Sequence, residues 1–252
     1  MGNMFEFDGF PLLSLDDLEG NYIEEYTKEN IEGKKHTFQV FLQFAQNPGL
    51  PAKRPDPRSG VYGNDFAATG FYSAGCAFYF AKRYDEATTN FTMAIKLKPN
   101  HFFAYKFRGI SNYELGKYDL AVNDFNKSIK LNPIFTGKLN KIDIKTLSKN
   151  EQLDIKNGLA ETYNSRANAF DELGKYDLAL KDYQEAIKLN GKMAEAYNNR
   201  GFLYMNRLKE YEKALKDYEI AIKLKPDYIT AKNNRNIVLD LIKTMGTSHN
   251  KR

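Results

Sequence analysis

Histidines, a lone cysteine and a recurring set of asparagines are the residues whose chemistry needs an account first. His36, His101 and His249 lie far apart in sequence, no His-x-x-x-His or Cys-x-x-Cys pair exists, and Gly-x-Gly is missing. A converging acid, base or nucleophile, or a loop that grips phosphate, therefore has no candidates. Cys76 excludes an intrachain disulfide and a cysteine-based metal cluster, and reads as a small buried hydrophobe rather than a nucleophile. The expectation is a protein without catalysis, cofactor, metal or small-molecule substrate. The asparagines differ. Asn164, Asn198 and Asn233 fall at equivalent places in a repeating pattern, with Asn199 and Asn234 beside the last two. A carboxamide accepts from a backbone N–H and donates to a backbone carbonyl, so a ladder of them can hold an extended peptide whatever its side chains. The competing reading makes each of them a solvated residue on a helix surface.

The pattern that positions them is a period. Tyr118-Asp119-Leu120-Ala121 recurs as Tyr176-Asp177-Leu178-Ala179, and Tyr84-Asp85-Glu86-Ala87 and Tyr211-Glu212-Lys213-Ala214 belong to the same series. An aromatic follows each alanine by four places (Phe91, Phe125, Tyr183, Tyr218), and a small residue follows three later (Ala94, Ser128, Ala186, Ala221). Each unit closes on Ile-Lys-Leu and a helix stopper, Pro99, Pro133, Gly191 or Pro226. Spacings of three and four are helical, so each unit reads as two helices. The leading helices are expected near 68–81, 102–114, 160–173 and 194–208, the trailing ones near 84–97, 118–131, 176–189 and 211–224. Gly75, Gly109, Ala167 and Gly201 supply small contacts on the leading helices, and Ala87, Ala121, Ala179 and Ala214 face them, with the aromatics filling wider spaces toward the next repeat. One extra residue around Asn206-Arg207-Leu208 predicts a bulge or a longer turn in the fourth unit.

These matched positions over residues 68–226 resemble the tetratricopeptide repeat family, whose period is 34 residues. The resemblance implies an all-α, right-handed superhelical solenoid of antiparallel helix hairpins, with leading helices lining a concave side that binds a protein or peptide. Carried onto this chain, that side holds Tyr72, Cys76, Tyr79 and Phe80 in the first repeat, and Phe103, Lys106, Phe107, Ile110, Tyr113 and Glu114 in the second. Asn164, Ser165, Asn168 and Asp171 follow in the third, and Glu195, Asn198, Asn199, Phe202 and Asn206 in the fourth. Asn233 and Asn234 continue the series. Tyr72, Tyr79, Phe103 and Phe107 form either an apolar hot-spot pocket or the footing for the N-terminal helices. Arg108, Arg166, Arg200 and Arg235 recur in register and are assigned to packing and salt bridges. The family's chaperone-binding subclass clamps a C-terminal carboxylate with Lys, Asn and Arg. Its places here hold Tyr72, Cys76, Phe107, Glu161 and Ser165, and shifting by one repeat puts Ile110 and Glu195 on required sites, so the clamp is absent.

The rest of the chain frames the repeats. Residues 1–64 read as an acidic leader with amphipathic helices at Ser14–Thr27 and Lys35–Gln46, followed by a connector bearing Pro51, Pro55 and Pro57. This leader either caps repeat 1 or lies in the body's own groove. Asp65 is placed as N-cap of the first repeat. Repeats 1 and 2 occupy 65–133, an insertion and helix extension 134–159, repeats 3 and 4 160–226, a capping helix 227–243 and a polar, frayed tail 244–252. Ser148 and Glu151 have capping-box spacing, so the third leading helix should begin near Lys149, which leaves 134–147 as a loop that packs on something.

Residues 1–66 carry six basic and eleven acidic side chains, the remainder 31 and 21. That basic body makes nucleic-acid binding a rival, but lysines alternating with acids, as in Lys181-Asp182 and Lys216-Asp217, argue against a phosphate-tracking stripe. A third class is a scaffold or self-associating subunit using the convex face or the insertion. Gly2 fails the myristoylation pattern because Glu6 replaces the required Ser or Thr. Without a basic leader or a run of about 20 apolar residues, a cytoplasmic protein without a membrane contact is the expectation.

Overall fold

The computed structural model describes residues 64–136, 138–139 and 142–249, together with 6–7 and 10–11. The expected helices at 14–27 and 35–46, and the connector to residue 63, lie outside the described residues. Two compact units, Met1–Lys117 and Tyr118–Arg252, make up the chain.

In the first unit, Glu6–Phe7 (β1) and Phe10–Pro11 (β2) form a short antiparallel pair. Helices α1 (Asn64–Phe80), α2 (Tyr84–Leu97) and α3 (Phe102–Glu114) follow. Asp65 falls inside the first turn of α1 instead of capping it, because the helix begins one residue earlier. The α1–α2 turn is closed by a left-handed Lys82 (φ 59), with the Arg83 N–H donating to the Phe78 carbonyl and the Lys82 N–H to Tyr79. That is the glycine-type helix stop built without glycine. Gly75 is required by the packing: a Cβ there would sit 2.6 Å from the Phe91 ring. The aromatic thus lies on the glycine of its own hairpin, where the spacing had reserved the position opposite for Ala87. Ala87, Phe91 and Cys76 form one buried cluster with Tyr72, Tyr79 and Phe107 around it.

The second unit contains α4 (Tyr118–Leu131), α5 (Pro133–Thr136), β3 (Lys138–Leu139), β4 (Ile142–Asp143), a 3-10 turn at Ile144–Thr146, and α6 (Lys149–Glu172). It continues with α7 (Tyr176–Leu189), α8 (Ala194–Leu203), α9 (Tyr211–Leu224) and α10 (Ile229–His249). Trailing helices begin and end where the periodicity puts them. The capping box at Ser148 forms in full: Ser148 N–H donates to Glu151 Oε2 at 2.8 Å and Glu151 N–H to Ser148 Oγ at 3.2 Å. That hydroxyl holds the Glu151 carboxyl below its usual range.

Two sequence expectations are corrected here, and the bulge expected in the fourth unit is present. Residues 134–147 are not a plain loop: Leu139 and Ile142 pair across a two-residue connection, the length that closes a hairpin, with α5 before it and the 3-10 turn after it. The capping helix runs to His249, past both the expected end at 243 and Gly246, since one glycine costs a helix only about 1 kcal/mol. The extra residue of the fourth unit becomes a π-turn, Tyr204–Leu208, that ends on left-handed Lys209 (φ 57), with the Glu210 N–H donating to the Tyr204 carbonyl. Gly174 (φ 70) performs the same stop in the preceding hairpin.

Recurrent ion pairs tie leading to trailing helices in this unit. Arg166 grips Asp182 through two bonds of 2.6 and 2.8 Å, and Arg200 grips Asp217 through two of 2.8 Å. Both carboxylates are buried. Burial pushes the Asp182 carboxyl upward against the pull of Arg166, whereas at Arg200 burial opposes the charge and is outweighed by Asp217, which raises the guanidinium.

Candidate functional site

Helices α6, α8 and α10 place their asparagines within hydrogen-bonding reach of one another. Asn234 Nδ2 donates to Asn198 Oδ1 at 3.2 Å, and Asn198 Nδ2 donates to Asn199 Oδ1 at 3.2 Å. Asn199 Nδ2 then divides between Asn164 Oδ1 and Asn168 Oδ1, 3.3 Å each. Tyr183, reaching across from α7, donates its hydroxyl to Asn168 Oδ1 at 2.7 Å. The result is an unbroken chain of five amides over three successive leading helices. Residues 31, 35 and 36 apart meet because like positions of adjacent repeats stack side by side.

Asn164 and Asn198 are buried, which removes the reading of them as solvated surface residues. Asn233 is exposed and its neighbour Asn234 makes the bond in its place. One turn further along, Phe202 on α8 and Ile237 on α10 are exposed, 41% and 50%. Arg207, carried by the π-turn, reaches back to Asp171 on α6 at 2.9 Å, and that bond raises its guanidinium. Glu195 pairs with Lys225 at 3.3 Å, and Asn206 turns its amide back to the Phe202 carbonyl. In the sequence Tyr183 read only as a packing aromatic, and Ile237 and the Arg207–Asp171 pair were not singled out. Ile237 was within reach, since it occupies the place of Phe202 one repeat on.

The first unit is different in kind. Tyr72, Tyr79 and Phe107 converge with Phe91, with ring centroids 5.9 to 6.1 Å apart, and Tyr72 also meets His101 at 4.8 Å. Phe103 does not join them and stacks on Phe102 instead, at 4.2 Å. Cys76 is buried among these rings, so it lines no open surface, and desolvation pushes its thiol up to about 12 against a bond from Tyr72. Lys106 is likewise buried, its ammonium 5.6 Å from the Phe107 ring centroid, while Tyr113 is half-buried.

Asp182 and Asp217, which in the sequence appeared to interrupt the lysines, point inward to arginines and do not neutralise the surface. Other acids do: Lys188 pairs with Glu185, Lys213 with Glu210, and Lys175 with Asp119. A cleft of about 420 Å³ beside α6 and α7 is lined by Tyr163, Phe170, Leu178 and the Arg166–Asp182 pair, whose charges are already spent on each other. No group of His, Cys, Asp and Glu among the described residues could hold a metal, and no described helix is long and apolar enough to cross a membrane.

Recurring helix hairpins, with 14-residue trailing helices and like positions of successive leading helices brought together in the second unit, define an all-α helical-repeat protein. Tetratricopeptide repeat models match residues 72–133, 160–193 and 194–228, together more than half of the sequence. The chain belongs to the tetratricopeptide repeat family, a family of protein–protein interaction modules. No curated protein matches it. Among solved structures, a MamA fragment from Desulfovibrio magneticus RS-1 is 17% identical, covering 77% of this chain and 97% of that one at a TM-score of 0.51. A second MamA structure is 16% identical over 78% and 95%, TM-score 0.52. The first tetratricopeptide domain of Spaghetti (RPAP3), bound to an HSP90 peptide, overlaps more loosely: 25% identity, 56% and 93% coverage, TM-score 0.45.

Proposed function

We propose that this protein is a non-catalytic adaptor that holds an extended segment of another protein along the leading-helix face of α6, α8 and α10. The observation that carries the reading is the amide chain. Within it, the bonds described leave Asn164 Nδ2, Asn168 Nδ2 and Asn234 Oδ1 uncommitted, donors at one end and an acceptor at the other. Each amide oxygen in the chain also has a second lone pair. A connected network fixes the rotamers of its members before a ligand arrives, which lowers the entropy cost of capture. A carboxylate clamp forms no part of this reading, because its places hold Tyr72, buried Cys76, Phe107, Glu161 and Ser165. Lys106 and Tyr113, and the ring cluster of Tyr72, Tyr79 and Phe107, support the fold of the first unit in this scheme.

The test is a capped-peptide array probed with the full chain and with the Asn198→Ala/Asn199→Ala variant, circular dichroism confirming that both are folded. Peptides captured by the parent chain should be released by the variant. Retention of the same peptides by the variant rejects the proposal. A second reading, self-association through the trailing helices, is favoured by the exposure of Leu120 and Leu178. Sedimentation equilibrium supports it if Leu120→Ser/Leu178→Ser converts an oligomer to a monomer.

A further inference from the structure

Phe202 and Ile237 are exposed apolar side chains at equivalent places, each one helical turn beyond an amide of the ladder, Asn198 or Asn199 on α8 and Asn234 on α10. From this juxtaposition we infer that the ligand is a neutral peptide in the polyproline II conformation with apolar residues three apart; the inference rests on the proposed function and specifies its ligand.

The argument is one of spacing. Helices packed side by side lie about 8–10 Å apart, so equivalent side chains on α8 and α10 are separated by about that distance. The Asn234–Asn198 bond shows that the two helices are direct neighbours at this level. A β-strand rises about 3.3 Å per residue and places every second side chain on one face, giving repeats of about 6.6 or 13 Å, and neither fits. Polyproline II has three residues per turn and rises about 3.1 Å per residue, so residues i and i+3 share a face about 9 Å apart. Its backbone makes no internal hydrogen bonds, which leaves carbonyls and amides for the asparagines. One peptide residue in three would then reach Phe202 or Ile237 while the main chain between them lies on the amides.

Charge matching supplies the neutrality. The ladder consists of amides, two ion pairs stand beside it, Asp171 with Arg207 and Glu195 with Lys225, and Arg235 donates to the Asn236 amide oxygen. A charged peptide would lose hydration with no opposite charge to meet. The chain's own proline-bearing stretch, residues 47–58, carries Lys53, Arg54, Asp56 and Arg58 and is the natural control.

The experiment is fluorescence anisotropy on the full chain with two capped, labelled probes, Leu-Pro-Pro-Leu-Pro-Pro-Leu and Leu-Pro-Leu-Pro-Leu-Pro-Leu, plus the 47–58 peptide as competitor. The three-residue spacing should bind about tenfold tighter than the two-residue spacing, the equivalent of losing one apolar contact. Phe202→Ser and Ile237→Ser change exposed residues and should each remove most of that preference. The competitor should leave binding unchanged. Equal binding of both probes, weakened together by Asn198→Ala/Asn199→Ala, overturns the spacing inference while the adaptor reading stands. Binding indifferent to the asparagine substitutions overturns the adaptor reading itself, and effective competition by 47–58 overturns the neutral ligand.

Discussion

Tyr183 and Tyr218 occupy the same place in consecutive repeats, yet replacing each by phenylalanine should have opposite effects. Both rings are fully buried. The Tyr183 hydroxyl donates to Asn168 Oδ1 at 2.7 Å, a good bond to a member of the amide chain. Its loss leaves Asn168 Oδ1 still bonded to Asn199, so no acceptor is orphaned and the cost is the net value of one hydrogen bond, about 0.5–1.5 kcal/mol. The Tyr218 hydroxyl has only the Met205 thioether at 4.0 Å, and a buried hydroxyl without a proper acceptor costs about 1–3 kcal/mol in proteins. Removing it should therefore be neutral or stabilising. The two variants should differ by about 0.5 kcal/mol at least and about 4.5 kcal/mol at most, with Tyr183→Phe the weaker protein. Urea unfolding followed by circular dichroism reads the difference as a midpoint shift at constant slope. Equal losses, or a larger loss for Tyr218→Phe, would refute the assignment of Tyr183 to the amide chain.

Other consequences are open to the same treatment. Gly75→Ala should destabilise by about 1–3 kcal/mol from overpacking, although alanine is the better helix former by about 1 kcal/mol, because the Phe91 ring is hemmed in by Tyr72 and Phe107. A raised melting temperature would show the ring free to retreat. Arg200→Met should cost about 3–5 kcal/mol by leaving Asp217 buried and alone, and Arg200→Met/Asp217→Leu should recover much of it. At pH 8 a thiol at about 12 ionises roughly a thousandfold less than one at its usual 9.0, so Cys76 should resist iodoacetamide in the native state and react on unfolding. Since burial raises this acid, its contribution to stability is complete below pH 9.0 and is lost as pH rises toward 12.

How much of this was legible in the residues varies by feature, for physical reasons. Helix type, the ends of the trailing helices and the start of α6 were readable because they depend on local rules: spacing of apolar residues, a proline stop, the reciprocal bonds of Ser148 and Glu151. The extra residue near Asn206 announced a distortion, but its form as a π-turn depends on what the following helix demands. Residues 134–147 misled because a two-residue β-pair and a four-residue helix are too short for any period to register.

The sequence by itself determined that helix hairpins recur and that asparagines and arginines return in register. Only the tertiary structure decided which members of each register meet. Asn234 rather than Asn233 enters the amide chain, Tyr183 joins it while Tyr218 does not, and Asp182 and Asp217 turn inward. Adjacent positions on a helix point about 100° apart, so a period fixes a residue's neighbourhood, while its partner is chosen by the packing of the helices on either side.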